Sequence, residues 1–197
     1  MAIITGAGFP PARFSDAITD LATFSWTPAV TIEELRPPDH LAPFSAAVSA
    51  DVVHHGDDVG YGRLILLHDP AGRDDWDGYF RCVTYARADV SLETVHDPFL
   101  ASVGWSWLMD ALDSDDAVYR EPGGTVTTVA STPFGAKADD DARGEIEIRA
   151  SWTAQLDDAH RFSAHIGAWQ SLLCLIAGIP AEENGVISLH PRLLEHS

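Results

Sequence analysis

Apolar side chains at Phe14, Ile18 and Leu21 follow Pro10-Pro11 at spacings of four and three residues, which predicts a first helix over about 11–24. Past Pro28, the Val30-Thr31-Ile32 run predicts a short strand closed by Pro37-Pro38. Three strand-like stretches follow, at about 44–55, 61–68 and 78–88. Gly56-Asp57-Asp58 and Asp69-Pro70-Ala71-Gly72 supply turn chemistry between them, and connections this short favour an antiparallel meander. Asp97-Pro98 reads as a helix start, with Asp as N-cap and Pro at the first helical position. Leu100, Val103, Trp107 and Ala111 fall on one stripe of that helix, and the acidic run from Asp113 to Asp116 ends it.

Two more strands, about 117–131 and 144–154, are separated by a Gly/Asp-rich loop. In the second, Ile146, Ile148, Ala150 and Trp152 alternate with Glu145, Glu147, Arg149 and Ser151, the period of a half-buried strand. A last helix over about 160–177 carries the stripe Phe162, Ile166, Trp169, Leu173 and Ile176, and Gly178 and Pro180 stop it. The order predicts an α+β fold: a mainly antiparallel sheet of about five to six strands, with three helices packed on one face. A single domain over 1–197 is expected, with irregular termini at 1–10 and 181–197.

Charge changes the picture of its surroundings. Thirty acidic residues stand against twelve basic ones, a net charge of −18. Such a surface repels phosphate backbones and anionic membranes, which argues against nucleic-acid and membrane partners. The acids gather in loop-like clusters such as Asp74-Asp75-Asp77 and Asp139-Asp140-Asp141, as solvated loops do. No apolar run approaches the ~18 residues of a membrane span, and the N-terminus has no basic region or long apolar stretch of a signal peptide. Cys82 and Cys174 sit in apolar segments and read as buried free thiols, consistent with a cytoplasmic setting.

The motifs that suggest chemistry fail on their spacing. Ile3 to Gly8 resembles the opening of a dinucleotide-binding turn, but Pro11 stands where the third glycine belongs and no parallel βαβ unit follows. Asp139-x-Asp141 has the rhythm of a calcium loop, yet Arg143 and Ala150 occupy ligand positions. His54-His55 and His68 fall at opposite ends of a hairpin, and His160 and His165 are spaced poorly for chelation. No nucleophile elbow is present. The sequence therefore names no catalytic residue, no metal ligand and no cofactor.

What remains is a strand face. Tyr79, Arg81, Val83, Tyr85 and Arg87 share one side of their strand, and Arg63 and Arg149 lie on neighbouring strands. Such arginines either bind an anion or pair with Glu145 and Glu147 across the sheet. Trp105 lies off its helix stripe, either in a wide buried face or as an anchor for a partner. The first reading is a non-enzymatic binding or adaptor module that contacts a protein partner or itself, through Trp105 and the Arg/Tyr face. The alternative is a small-anion-binding domain or enzyme with an arginine-lined pocket between sheet and helices. There Arg63, Arg81, Arg87 or Arg149 would hold the anion, and His68 with Asp69 would supply acid–base chemistry.

Several stretches in combination carry a resemblance: Leu41-Ala42-Pro43, Gly62-Arg63-Leu64, Leu67 to Gly72, Trp76-Asp77-Gly78, Val103 to Leu108, and Ile146 to Thr153. Over about residues 12–190 the chain resembles an actinobacterial protein family of unknown function, whose members are often encoded beside a ribonuclease-D-like gene. The resemblance implies a bacterial cytoplasmic setting and a single domain. It brings no activity, cofactor or catalytic residue.

Overall fold

The computed structural model describes residues 4–6, 9–38 and 40–180. Its centre is the meander read from the sequence. Strand β3 (Phe44–His54) turns through His55 and Gly56, whose φ values of 53° and 94° are the left-handed pair that joins twisted strands in two residues. Strand β4 (Asp57–Arg73) runs back past β3, pairing Phe44 with His68 and His54 with Asp57, so His54 and His68 stand at opposite ends of the hairpin. The strand does not end at Asp69. Residues Asp69 to Gly72 form an irregularity inside it, held by Ala71 N donating to Asp69 Oδ1 at 3.0 Å. The reversal falls instead on Asp74–Asp77, before β5 (Gly78–Val90).

After β5 come a short helix α2 (Leu92–Val95), helix α3 (Leu100–Ser114) and strands β6 (Tyr119–Ser131) and β7 (Arg143–Ala154). Asp97 does cap a turn, its Oδ1 accepting from Phe99 N at 2.8 Å, but the helix proper begins at Leu100, after Pro98 and Phe99. Strand β2 (Val30–Leu35) and the three-residue β1 (Ile4–Gly6) both pair with β3. One sheet results, in the order β1-β3-β4-β5-β7-β6 with β2 beside β3, and every pairing is antiparallel. The sheet is the mainly antiparallel one expected of an α+β fold, with the three-residue β1 as an addition beside β3, and the antiparallel pairing of β1 is not that of a dinucleotide-binding unit. The expected irregular segment over 181–197 lies outside the described residues.

Helices α1 (Ala12–Thr23), α3 and α4 (Phe162–Ile176) pack on one face of this sheet. They bury the alternating set Ala46, Val48, Leu64, Leu66, Phe80, Cys82, Ile146, Ile148 and Trp152. The five stripe residues predicted for α4 are all buried. Gly178, at φ 69°, ends α4 with the paired bonds Ile179 N to Cys174 O and Gly178 N to Leu175 O, as a glycine in the left-handed region allows. Gly62 lets α4 settle on β4, since a Cβ there would lie 2.6 Å from Leu173 Cδ2 and 2.9 Å from Trp169 Cζ2. Both cysteines are buried and unbridged, and burial raises the Cys174 thiol to about 11.

The N-terminus of α4 is capped from another helix. Arg161 at the N-cap position has no side-chain acceptor, and Asp20 of α1 supplies one. Its Oδ2 accepts from Phe162 N at 3.0 Å and Arg161 Nε at 3.1 Å, which also ties α1 to α4. Asp20→Ala is expected to remove about 1–2 kcal/mol of stability, read as a lower urea midpoint. Asp20→Asn, which retains an acceptor oxygen, is expected to lose much less.

Candidate functional site

The strand arginines occupy the face without helices, so they do not line a pocket between sheet and helices. Register sets their neighbours: Arg63 lies opposite Tyr85, which lies opposite Arg149, while Arg87 lies opposite Glu147. Arg149 Nε pairs with Glu147 Oε1 at 2.9 Å and its guanidinium stands 5.4 Å over the Tyr85 ring. Arg87 pairs with Glu145 at 3.3 Å. Arg81 donates to Glu121 O, Thr153 Oγ1 and Ser151 Oγ, at 2.8 to 3.0 Å, and so ties β5 to β6 and β7. Arg63 donates to Tyr61 Oη at 3.3 Å and makes no ion pair among the described residues. The row Arg63, Tyr85, Arg149 borders a shallow recess of about 280 Å³ floored by Ile65 and Val83. Arg87 makes the cross-strand carboxylate pair expected of this face, whereas Arg149 pairs along its own strand and Arg81 is held by a carbonyl and two hydroxyls.

The helix-bearing face holds a deeper feature, at the end of the sheet where α1 begins. A cavity of about 450 Å³ lies between β4, β5, the end of β7 and the first turn of α1. His68 lines it and is only 4% exposed. It takes its position because residues of even number on β4 face the helices, so it follows Leu64 and Leu66 into the core. Its ring stacks on Phe80 at 4.1 Å and on Phe14 at 5.7 Å. Nδ1 lies 3.0 Å from Tyr79 O. A carbonyl only accepts, so Nδ1 carries the proton and Nε2 presents its lone pair. Burial lowers the pKa of His68, only partly offset by that bond and by Asp69, and keeps the ring neutral at pH 7.

Asp69 does not assemble with His68 as an acid–base pair. Adjacent strand residues project to opposite faces, and the Asp69 carboxylate is engaged by Ala71 N. Asp157 at the cavity rim is also committed. Its Oδ1 accepts from Ala159 N, His160 N and His160 Nδ1, at 2.8 to 2.9 Å, which draw its pKa down to about 2. Arg13, in the first turn of α1, reaches Leu156 O at 3.3 Å and has no carboxylate partner among the described residues. That turn carries no side-chain cap and no acidic residue. A cation at the positive end of a helix is electrostatically unfavourable until an anion joins it. Sequence reading names His68 but misses Arg13, Phe80 and Gln155, which come from three other segments.

The remaining candidates separate. Trp105 and Trp107 are both half-buried against the main core, on the helix where Gly104 packs on Ile146. His54 and His55 sit together at the β3–β4 turn, their ring centroids 3.9 Å apart and their planes tilted by 44°. His165 is buried in the core and accepts from Trp152 Nε1 at 3.1 Å, while His160 stays on the surface. Asp139, Asp140 and Asp141 are exposed after the single turn Gly135–Lys137. Among the described residues no three His, Cys, Asp or Glu side chains are grouped to hold a metal ion, and no helix is long and apolar enough to cross a membrane.

The chain belongs to a family described as a protein of unknown function, DUF3000, whose model matches residues 10–187. No curated protein and no solved structure matches it.

Proposed function

We propose that this family member is a small-molecule binding module that takes a small organic acid into the His68 cavity. The observation that carries the reading is the buried imidazole lining the cavity, its Nδ1 fixed by Tyr79 O so that Nε2 keeps its lone pair for a ligand. A neutral His with a fixed tautomer accepts a hydrogen bond from a hydroxyl or amine. Arg13 and the uncapped first turn of α1 favour a carboxylate. Phe80, Pro70 and Leu156 give the same cavity apolar walls, and about 450 Å³ lies within the ~300–1,000 Å³ range of small-ligand sites. Binding is favoured over catalysis because Asp69 and Asp157 are both engaged elsewhere, leaving His68 with no carboxylate directed at it among the described residues. A protein-docking role for the arginine face has less support, since Arg81, Arg87 and Arg149 are held by groups of the chain itself.

A thermal-shift series with hydroxybenzoates and short hydroxy acids tests the proposal. At a hundredfold excess over Kd, a ligand stabilises by about 2.7 kcal/mol, which for a chain of this size raises Tm by roughly 5–10 °C. His68→Phe and Arg13→Ala are expected to abolish the shift while remaining folded. A flat response across the panel, or a shift that both variants retain, would refute this reading.

A further inference from the structure

The last strand of the sheet ends in an open edge. Among the described residues β6 pairs only with β7; past an irregularity at Arg120–Gly123 that contains Pro122, the register is unbroken from Gly123 opposite Ser151 to Ser131 opposite Arg143. Along Gly123–Ser131 the chain reads Gly-Gly-Thr-Val-Thr-Thr-Val-Ala-Ser, with no charge, no proline and no bulge. Every residue of that stretch is exposed except the half-buried Val126. Exposed edges are ordinarily blunted by charged side chains, proline or irregular pairing, because their free N–H and C=O groups accept another strand. The opposite side of the sheet follows that rule. There β2 is short and carries exposed Glu33 and Glu34, and β1 takes part of the same β3 edge.

We infer that β6 pairs with β6 of a second copy of this chain, antiparallel, about a two-fold axis perpendicular to the sheet. Charge decides between occupants. A cationic partner strand would be read by acidic side chains along the paired stretch, and Gly123–Ser131 carries none; the charges of β6, Arg120 and Glu121, precede it, in a chain of net charge −18. Two such chains repel each other everywhere except along an uncharged seam. A two-fold seam also sets each side chain against another on the same face, so a charge on its central residue would meet its own copy. Centred on Thr127, the pairing brings Thr125 against Val129 and Val126 against Thr128, β-branched residues throughout. Both β6 edges are then consumed, and the charged β2 side blocks further growth. The assembly closes at two copies.

Sedimentation equilibrium of the full chain is expected to give twice the mass of one chain. Thr127→Lys places like charges face to face and is expected to weaken association by at least about tenfold, with the circular dichroism spectrum unchanged. Thr127→Glu should behave the same way alone, and an equimolar mixture of the two variants should restore the dimer. A wild-type protein that is monomeric throughout the concentration range overturns the inference. So does a dimer that tolerates Thr127→Lys, or a pair of monomeric variants that stay monomeric on mixing.

Discussion

Trp152→Ala is expected to lower the free energy of unfolding by about 3–5 kcal/mol, read as a reduced urea midpoint with little change of slope. Trp152 is fully buried on the core face of β7, among the largest side chains in the core. Truncation removes the apolar contact surface and leaves a cavity that the rigid strand cannot close. It also strips His165 Nδ1 of the indole N–H that it accepts at 3.1 Å. Trp152→Phe separates these effects. It retains most of the apolar volume, loses the hydrogen bond and leaves a buried acceptor unpaired, which accounts for roughly 1–3 kcal/mol. A Trp152→Ala protein within about 1 kcal/mol of the wild type would mean that α4 and β7 are not locked together here.

The elements around this pair are those the sequence makes plainest. In β7 the Ile146, Ile148, Ala150, Trp152 series alternates with polar residues, and in α4 the stripe from Phe162 to Ile176 keeps the helical period. Each pattern has only one way to be buried, and each is observed. The boundaries that shift have local causes. β4 runs on to Arg73 because the Asp69–Gly72 stretch makes an irregularity within a strand, and its turn residues do not distinguish that from a reversal. α3 starts at Leu100 because the Asp97 carboxylate is spent on the turn that precedes the helix.

The candidate site is less legible. Alternation places Arg81, Tyr85 and Arg87 on one face, but their partners depend on β7 lying beside β5, a pairing between segments about sixty residues apart. That register gives Arg87 its carboxylate, Glu145, whereas Arg149 pairs along its own strand with Glu147 and Arg63 has no carboxylate partner among the described residues. His68 has a readable signal, since its parity matches Leu64 and Leu66 and marks it as a polar residue on the core face. Arg13 and Gln155 carry no such mark. They reach the cavity only when α1 docks on the sheet, and the docking rests partly on the long-range bonds between Asp20 and the start of α4.

Acid is expected to weaken the fold through the same core that Trp152 anchors. Burial lowers the pKa of His165 to about 4, against 6.5 for a solvated imidazole. Protonation at Nδ1 would also set that proton against the Trp152 indole N–H. Below pH 6.5 the unfolded chain therefore binds a proton at this residue that the native state refuses. Stability is at its neutral value above that pH and declines as pH falls towards about 4, by about 3 kcal/mol from this residue alone. His68 acts in the same direction, since burial lowers its pKa too. The acidic surface opposes both, because protonating carboxylates relieves repulsion within a chain of net charge −18. The difference between wild type and His165→Gln isolates the imidazole, for the surface is common to both. The stability gap between the two proteins should change by about 3 kcal/mol from pH 7 to pH 4, with the wild type losing more. Parallel curves would place the His165 proton equilibrium outside the folding reaction.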